Sequence, residues 1–371
     1  MQSLDISALN TLVLSASFLL SLLFGVLAQS THFCTMGAIS DVVNMGDWTR
    51  MRQWALAIGV AMVGFALLAY TGQIDPTKTL HGGNRWLWLS AAVGGVLFGL
   101  GMVLASGCGS KTLMRVGSGN LKSLVVMLVI GVTGFATMKG LTAVLRVASV
   151  DKVAVDFNTT ANLPYVAAGW LGLSPAVLTL ALGVGLGWVL IVWALRGEQF
   201  MRADNLLAGF GVGGIMVAMW WVSGHWGHVA EHPQTLDEVF LATNSGRAEA
   251  MSFVAPIAYT LDWLMFFSDK SKALTLGIVS VLGVVVGSTV SSVWGGSFRW
   301  EGFGSTEDLA NHLVGGVLMG IGGVTAMGCT IGQGLTGIST LGLNSIVALA
   351  AIVGGAVLGF KYQMWRLERM A

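Results

Sequence analysis

An all-α bundle of membrane-crossing helices is the fold class this sequence predicts, and three observations predict it. Apolar residues make up 54% of the chain and charged residues 10%, whereas soluble domains carry about a quarter charged residues. Nine apolar runs are long enough to cross a hydrocarbon core of roughly 30 Å, which takes about 17 to 25 helical residues. They lie near 8–28, 52–72, 87–106, 121–140, 174–195, 204–223, 274–294, 309–328 and 343–361. The third observation is a fifteen-residue phrase that occurs twice, Gly94 to Cys108 and Gly315 to Cys329, with 315 less 94 and 329 less 108 both equal to 221. Self-similarity of this kind is the mark of an internally repeated architecture.

Taken in order, the first run follows a terminus, Met1 to Leu9, that holds Asp5 but no Lys or Arg, and no small-residue cleavage site follows it. It is therefore expected to be a retained span rather than a removable leader. The 221-residue offset maps 52–72, 87–106 and 121–140 onto 274–294, 309–328 and, after a one-residue shift, 343–361. A weaker echo, Ser30-Thr-His32-Phe33-Cys34 against Ser223-Gly-His225-Trp226-Gly227, pairs the first run with 204–223. The chain reads as one membrane domain (1–371) with repeat one at about 8–145, a linking span at about 174–195 and repeat two at about 204–361. An odd number of intervening spans turns the second unit upside down, an inverted repeat of the kind that places transporter sites near the membrane midplane.

Three segments are too apolar for solvent loops and too short to cross: 34–47, 109–119 and 330–341. Irregular backbone at membrane depth is tolerated where protein buries it or a cavity wets it, so they are read as short re-entrant helices. The run 252–267, with Pro256 and Asp262, is short and reads as re-entrant or interfacial. Asp262 is the sole carboxylate considered for ion coupling. Eleven Lys and Arg fall inside and eight outside if the N-terminus is external, which favours N-out and C-in by the positive-inside rule. The acidic connection 225–270 is then external.

Net charge is +1, so no polyanionic partner such as nucleic acid is indicated. Three widely spaced cysteines exclude a disulfide framework and match no zinc or Cys-x-x-Cys spacing. His225-x-x-His228 and His228-x-x-x-His232 have spacings a metal would accept but lie in the polar connection, and no metal or cofactor is expected. Trp220, Trp221 and Trp226 read as an interfacial aromatic belt. The Gly-x-x-x-Gly pairs Gly95/Gly99, Gly316/Gly320 and Gly209/Gly213 read as close helix packing. Gly107 and Gly328, one residue before a cysteine, are expected to take unusual backbone angles at helix breaks.

The chemistry is expected at those breaks. Helices starting after Cys108 and Cys329 would present free N–H groups near Gly109 and Ser110 and near Thr330 and Ile331, a donor-rich spot suited to a small anion. A thiol is a weak donor and a soft acceptor, so thiols there favour a ligand that presents sulfur. Lys111 and Arg115 share a helical face with Cys108. In the second copy their places are taken by Gly332 and Thr336, with Gln333 the one long polar side chain nearby.

Phe33-Cys34-x-x-x-Ala38-x-x-Asp41, Gly107-Cys108-x-Ser110-x-Thr112-Leu113-x-Arg115-x-Gly117-x-Gly119-Asn120 and Gly328-Cys329-Thr-Ile-Gly332-Gln-Gly334-Leu-Thr-Gly337 together resemble the YeeE/YedE family of membrane proteins with sulfur-transport domains. The resemblance covers nearly the whole chain. It implies an hourglass-shaped bundle of inverted repeats in a bacterial inner membrane, where cysteines matching Cys34, Cys108 and Cys329 relay thiosulfate inward by transient hydrogen bonds. It also implies a small cytoplasmic TusA-like sulfur carrier as a partner, beside the membrane lipids. Lys111, where a small residue is more usual, and His32, where a basic residue is common, depart from the pattern and leave open thiosulfate, another sulfur species or a selenium species. The site residues expected are Cys34, Cys108, Cys329, Gly109, Ser110, Lys111, Thr330 and Gln333. The rival reading is a membrane sulfurtransferase that forms a cysteine persulfide.

Overall fold

A computed structural model describes residues 6–234 and 236–370; the expectation for the terminus around Asp5 lies outside them. The chain folds into α1 (Ile6–Ser30), α2 (Thr35–Met45), α3 (Thr49–Tyr70), α4 (Trp88–Leu104), α5 (Gly109–Gly117), α6 (Leu121–Lys139), α7 (Leu141–Ala148), α8 (Leu163–Leu171), α9 (Pro175–Leu195), α10 (Ala203–Leu206), α11 (Val212–Trp221), α12 (Val254–Met265), α13 (Leu276–Trp294), α14 (Thr306–Thr325) and α15 (Leu343–Met370). The last two turns of chain before α15, residues 330–339, are also helical. Two-residue antiparallel ribbons, 85–86 with 155–156 and 228–229 with 239–240, are the strands among the described residues. Backbone groups satisfied within each helix are what a hydrocarbon environment demands.

Eight segments are long and apolar enough to span a membrane, including the continuous rod Ala203–Trp226 built from α10, α11 and their flanking π turns. They account for eight of the nine expected spans. The ninth, α14, begins with Glu307, Asp308, Asn311 and His312, which lowers its hydropathy, yet it packs along α4 in the interior. At 12 residues α12 is about 18 Å long, short of a crossing, as expected for 252–267.

Glycine spacing decides how closely the rods approach. On α4 a Cβ added to Gly94 would stand 2.7 Å from the carbonyl oxygen of Gly322 on α14, and one on Gly101 2.7 Å from that of Gly315. In the other direction, Gly315 to the Gly101 oxygen and Gly322 to the Gly94 oxygen are both 2.6 Å. As numbering rises along α4 it falls along α14, so the two helices cross antiparallel. Gly95 and Gly99 meet α15 at Ala348–Ala356, and Gly316 and Gly320 meet α6 at Val126–Gly134. Parallel contacts join α1 to α13 (Phe18 to Gly283, Leu22 to Gly287) and α3 to α11 (Ala57 and Val60 to Gly213, Gly64 to Val217).

One aromatic departs from expectation. Trp220 is fully buried, its ring 5.1 Å from that of Phe65 and its indole N–H donated to Ser339 Oγ at 3.0 Å. An indole with an internal acceptor has no need of the interface, so Trp220 belongs to the core rather than to a belt. Its neighbour Trp221 stacks on His225 and meets Trp226 at a tilt near the end of the rod.

Candidate functional site

All three cysteines are free and buried, Cys108 and Cys329 at 0% exposure and Cys34 at 6%. Each stands at the same kind of break. The preceding helix ends, a residue with left-handed backbone follows, and two residues after it the cysteine opens a short helix. The left-handed residues are His32 (φ 54°), Ser106 (φ 56°) and Met327 (φ 57°). The residue after each donates its N–H five positions back, Phe33 to Ala28 at 3.0 Å, Gly107 to Met102 and Gly328 to Gly323 at 2.8 Å, the bond that closes a Schellman helix end.

Each cysteine carbonyl then accepts the first bond of the next helix, from Ala38 at 2.9 Å and from Thr112 and Gln333 at 2.8 Å. The re-entrant helices expected after Cys34, Cys108 and Cys329 are thus α2, α5 and residues 330–339. The last contains the π turn Gly332–Gly337, a departure from α geometry that recurs at functional positions.

The strained residue is not the glycine. Gly107 and Gly328 were expected to hold the unusual angles, but positive φ falls one residue earlier, on side chains for which it costs on the order of 1–3 kcal/mol. What the glycines supply is close approach: a Cβ on Gly328 would lie 3.1 Å from Gln333 Cγ, and one on Gly107 3.4 Å from Lys111 Cβ.

Backbone donors hold two of the thiols and a hydroxyl the third. Gly37 N–H points at Cys34 Sγ (3.4 Å), Gly332 N–H at Cys329 Sγ (3.5 Å), and Cys108 Sγ shares a hydrogen with Ser110 Oγ (3.3 Å). A Cβ added to Gly109 would lie 3.7 Å from the Cβ of Phe253. Thr330 Oγ1 and Thr35 Oγ1, each one residue past a cysteine, are buried without a hydrogen-bond partner. Gln333 is fully buried, its amide bridging the Ala326 carbonyl (2.6 Å) and Ser345 Oγ (2.5 Å), which braces the break before Cys329.

Cys34 opens onto a cavity of about 650 Å³ lined by His32, Arg50, Ser106, Lys111 and Arg115 among others. A second cavity of about 400 Å³ shares His32, Ser106, Lys111 and Arg115 and adds Lys122 and Arg299. Together they form a vestibule with five Lys and Arg side chains against four carboxylates, Asp41, Asp47, Glu301 and Asp308, a small cationic excess. Arg50 was weighed in the sequence only for topology. Here its Nη2 donates to Asp41 Oδ1 at 2.6 Å and its Nε to Oδ2, so the guanidinium lies against Gly37, where any Cβ would collide with it. The signal available was Asp41 in the Cys34 motif, whose partner the sequence does not name.

Three other residues have different occupations. Asp262 pairs with Lys272 at 2.5 Å, a bonded carboxylate rather than a free one. His228 Nε2 and Lys78 Nζ both meet Glu238 Oε1, at 2.5 and 2.6 Å, and these bonds, Lys78's the larger, hold Glu238 below the usual carboxylate range. Among the described residues no group of three or more His, Cys, Asp or Glu is placed to hold a metal.

Membrane-crossing rods, three broken helices and three buried thiols, one of them opening onto a charged cavity, define a polytopic membrane transport protein. The chain belongs to the sulphur transport family, whose model matches residues 30–358. It is 27% identical over 339 residues to the thiosulfate transporter TsuA of Spirochaeta thermophila, covering 89% of this chain and 93% of that one. It is 26% identical over 325 residues to the thiosulfate transporter TsuA of Escherichia coli, 84% of each chain. A 116-residue stretch, 31% of this chain, is 31% identical to the probable transporter YedE of Escherichia coli.

Proposed function

We propose that this protein imports a small sulfur-containing anion, thiosulfate, across a bacterial inner membrane, with Cys34, Cys108 and Cys329 as serial contacts along an hourglass-shaped path. The observation that carries this reading is three buried thiols on three like-built breaks, and the reading places Cys108 between the other two. A thiolate would repel each negative charge at 4 Å by about 4 kcal/mol at an effective dielectric of 20, so passage uses neutral thiols. Their weak S–H donors and soft sulfurs hold the ligand loosely enough to release it. Around them Gly109 and Ser110 supply N–H groups at the start of α5, Thr330 a free hydroxyl, Lys111 positive charge, and Gln333 the brace.

The reading includes an inverted repeat, about 8–145 and 204–361 with 174–195 between, and what supports it is reciprocity. Gly94 with Gly322 and Gly101 with Gly315 are one contact made twice at equivalent positions, the signature of a two-fold relation. The parallel pairs α1 with α13 and α3 with α11 exchange equivalent members in the same way. The N-terminus is external in this reading, and a TusA-like carrier receives the sulfur on the cytoplasmic side.

Uptake of ³⁵S-thiosulfate into proteoliposomes tests the proposal: accumulation above empty vesicles is expected, and none would remove it. Intact mass after turnover separates the rival chemistry. Transport leaves the mass unchanged, whereas attack of a cysteine sulfur on the sulfane sulfur with loss of sulfite adds one sulfur to the protein.

Lys111 gives a sharper expectation. Lys111→Ala should raise the half-saturating concentration of thiosulfate presented on the vestibule side about three- to tenfold and flatten its salt dependence, because the lysine's part is attraction. The maximal rate should stay within about twofold. A fall in maximal rate at unchanged half-saturation would place Lys111 in the translocation step instead.

A further inference from the structure

Past Met327 and Gly328, at the turn before Cys329, lies a separate cavity of about 220 Å³. It runs to the 244–252 connection and to α12 and α13, and is lined by no Lys, Arg or His. Its polar lining is the hydroxyls of Ser245, Ser252, Tyr259 and Ser280, the amide of Asn244 and one carboxylate, Glu249. Ser280 is fully buried and its hydroxyl has no hydrogen-bond partner. A buried hydroxyl left unpaired costs free energy that a ligand or water recovers, and the cavity has room for about seven waters or a five-atom anion with a few.

Glu249 is held in place and has no cation. Its N–H donates to Ser223 Oγ at 2.8 Å, and its Oε1 accepts from the Ser245 N–H at 2.9 Å and from the Ser245 hydroxyl. No ion pair involves it among the described residues. Arg247, two residues before it, turns its guanidinium to the Thr79 carbonyl. From α12 the facing titratable group is Tyr259, with Asp262 beyond it tied to Lys272. Met138 from α6, Leu276, Gly277 and Ser280 from α13, and Gly323 and Val324 from α14 bring no charge. An ionised carboxylate here disfavours any anion in the cavity, whereas a protonated one adds a donor.

We infer that this cavity is a second oxyanion station, where the hydroxyls of Ser252, Tyr259 and Ser280 bind the substrate's oxygens, and that it admits the anion only while Glu249 carries a proton. The inference rests on the transport reading above. The proton passes from hydronium in the cavity to a carboxylate oxygen, one O–H bond breaking as the carboxyl O–H forms, and returns to water as the anion leaves, so no bond of the substrate changes. Burial already pushes the Glu249 carboxyl above its ordinary range, against the Ser245 hydrogen bonds that favour the charged form. Protonation below that raised value means the station is open on the acid side and closes as pH rises.

The test is ³⁵S-thiosulfate uptake by the full-length protein in proteoliposomes buffered alike on both sides, from pH 5 to 9. In detergent, thiosulfate-induced thermal stabilisation is read over the same range. Wild type should lose at least about tenfold in uptake across a single step. Glu249→Gln should remain near the acid-limb rate at every pH. Ser245→Ala, which deletes a bond to the charged form, should move the step to higher pH. A flat wild-type profile, a Glu249→Gln profile that keeps the wild-type step, or an unmoved step in Ser245→Ala would each overturn the inference. Absence of uptake at any pH would instead remove the transport reading, and the pH dependence of thermal stabilisation then decides the station by itself.

Discussion

Cys108→Ala should cut thiosulfate uptake roughly ten- to a hundredfold while leaving a folded, monodisperse protein. Cys108 is fully buried, and the proposed path places it between Cys34 and Cys329. On that path an anion at Cys108 has shed its water, and solvent cannot take the place of a side chain at 0% exposure. A hydrogen bond to a charged group is worth about 1.5–3 kcal/mol. Losing it on the proposed path raises the barrier by that amount, and each 1.4 kcal/mol is tenfold in rate. Cys108→Ser keeps a donor without the soft sulfur and should fall between. Cys34→Ala should cost less, because Cys34 opens onto the cationic vestibule, where water and Arg50 can stand in. Initial uptake rates of the three variants at one protein density are the measurement, and equal rates for Cys108→Ala and wild type would remove the relay.

What was legible in the sequence followed from periodicity and repetition. Nine apolar runs became eight apolar spans and α14, and the doubled phrase became the antiparallel crossing of α4 and α14. The breaks after Gly-Cys were legible too, because a glycine-rich apolar stretch of about ten residues has nowhere else to go. The details that escaped depend on contacts between distant residues. Positive φ fell on Ser106 and Met327 rather than on glycine, since tertiary packing over-determines those turns and overrides local preference. Trp220 looked interfacial because its acceptor, Ser339, is 119 residues away. Asp262 outranked Glu249 because it sits in an apolar run, whereas Glu249 lies in a polar connection that folds back over the bundle. Composition along the chain does not reveal which acidic residue ends up lining a cavity without a cation.

The second large effect is on folding rather than transport. Gly101→Val should abolish recovery of folded protein, whereas Gly354→Val should not. A Cβ at Gly101 would stand 2.7 Å from the Gly315 oxygen, 2.8 Å from the Met319 nitrogen and 2.9 Å from Leu318 Cβ. Two of those three atoms are backbone, so no rotamer change relieves the clash and α4 must move off α14 along its length. Overpacking of a core typically costs 1–3 kcal/mol and more where nothing can yield, against a total stability of about 5–15 kcal/mol. The same crossing also fixes the distance between the breaks at Cys108 and Cys329, so a partially folded variant should still fail in uptake. Gly354 on α15 has nothing within 4 Å of the added Cβ and sits on the exposed side of the helix, which isolates packing from the intrinsic effect of replacing glycine in a helix. Size-exclusion profiles and thermal midpoints in detergent compare the pair. If Gly101→Val proved as monodisperse and as heat-stable as Gly354→Val, the glycine crossing would not be what holds the two cysteine breaks together.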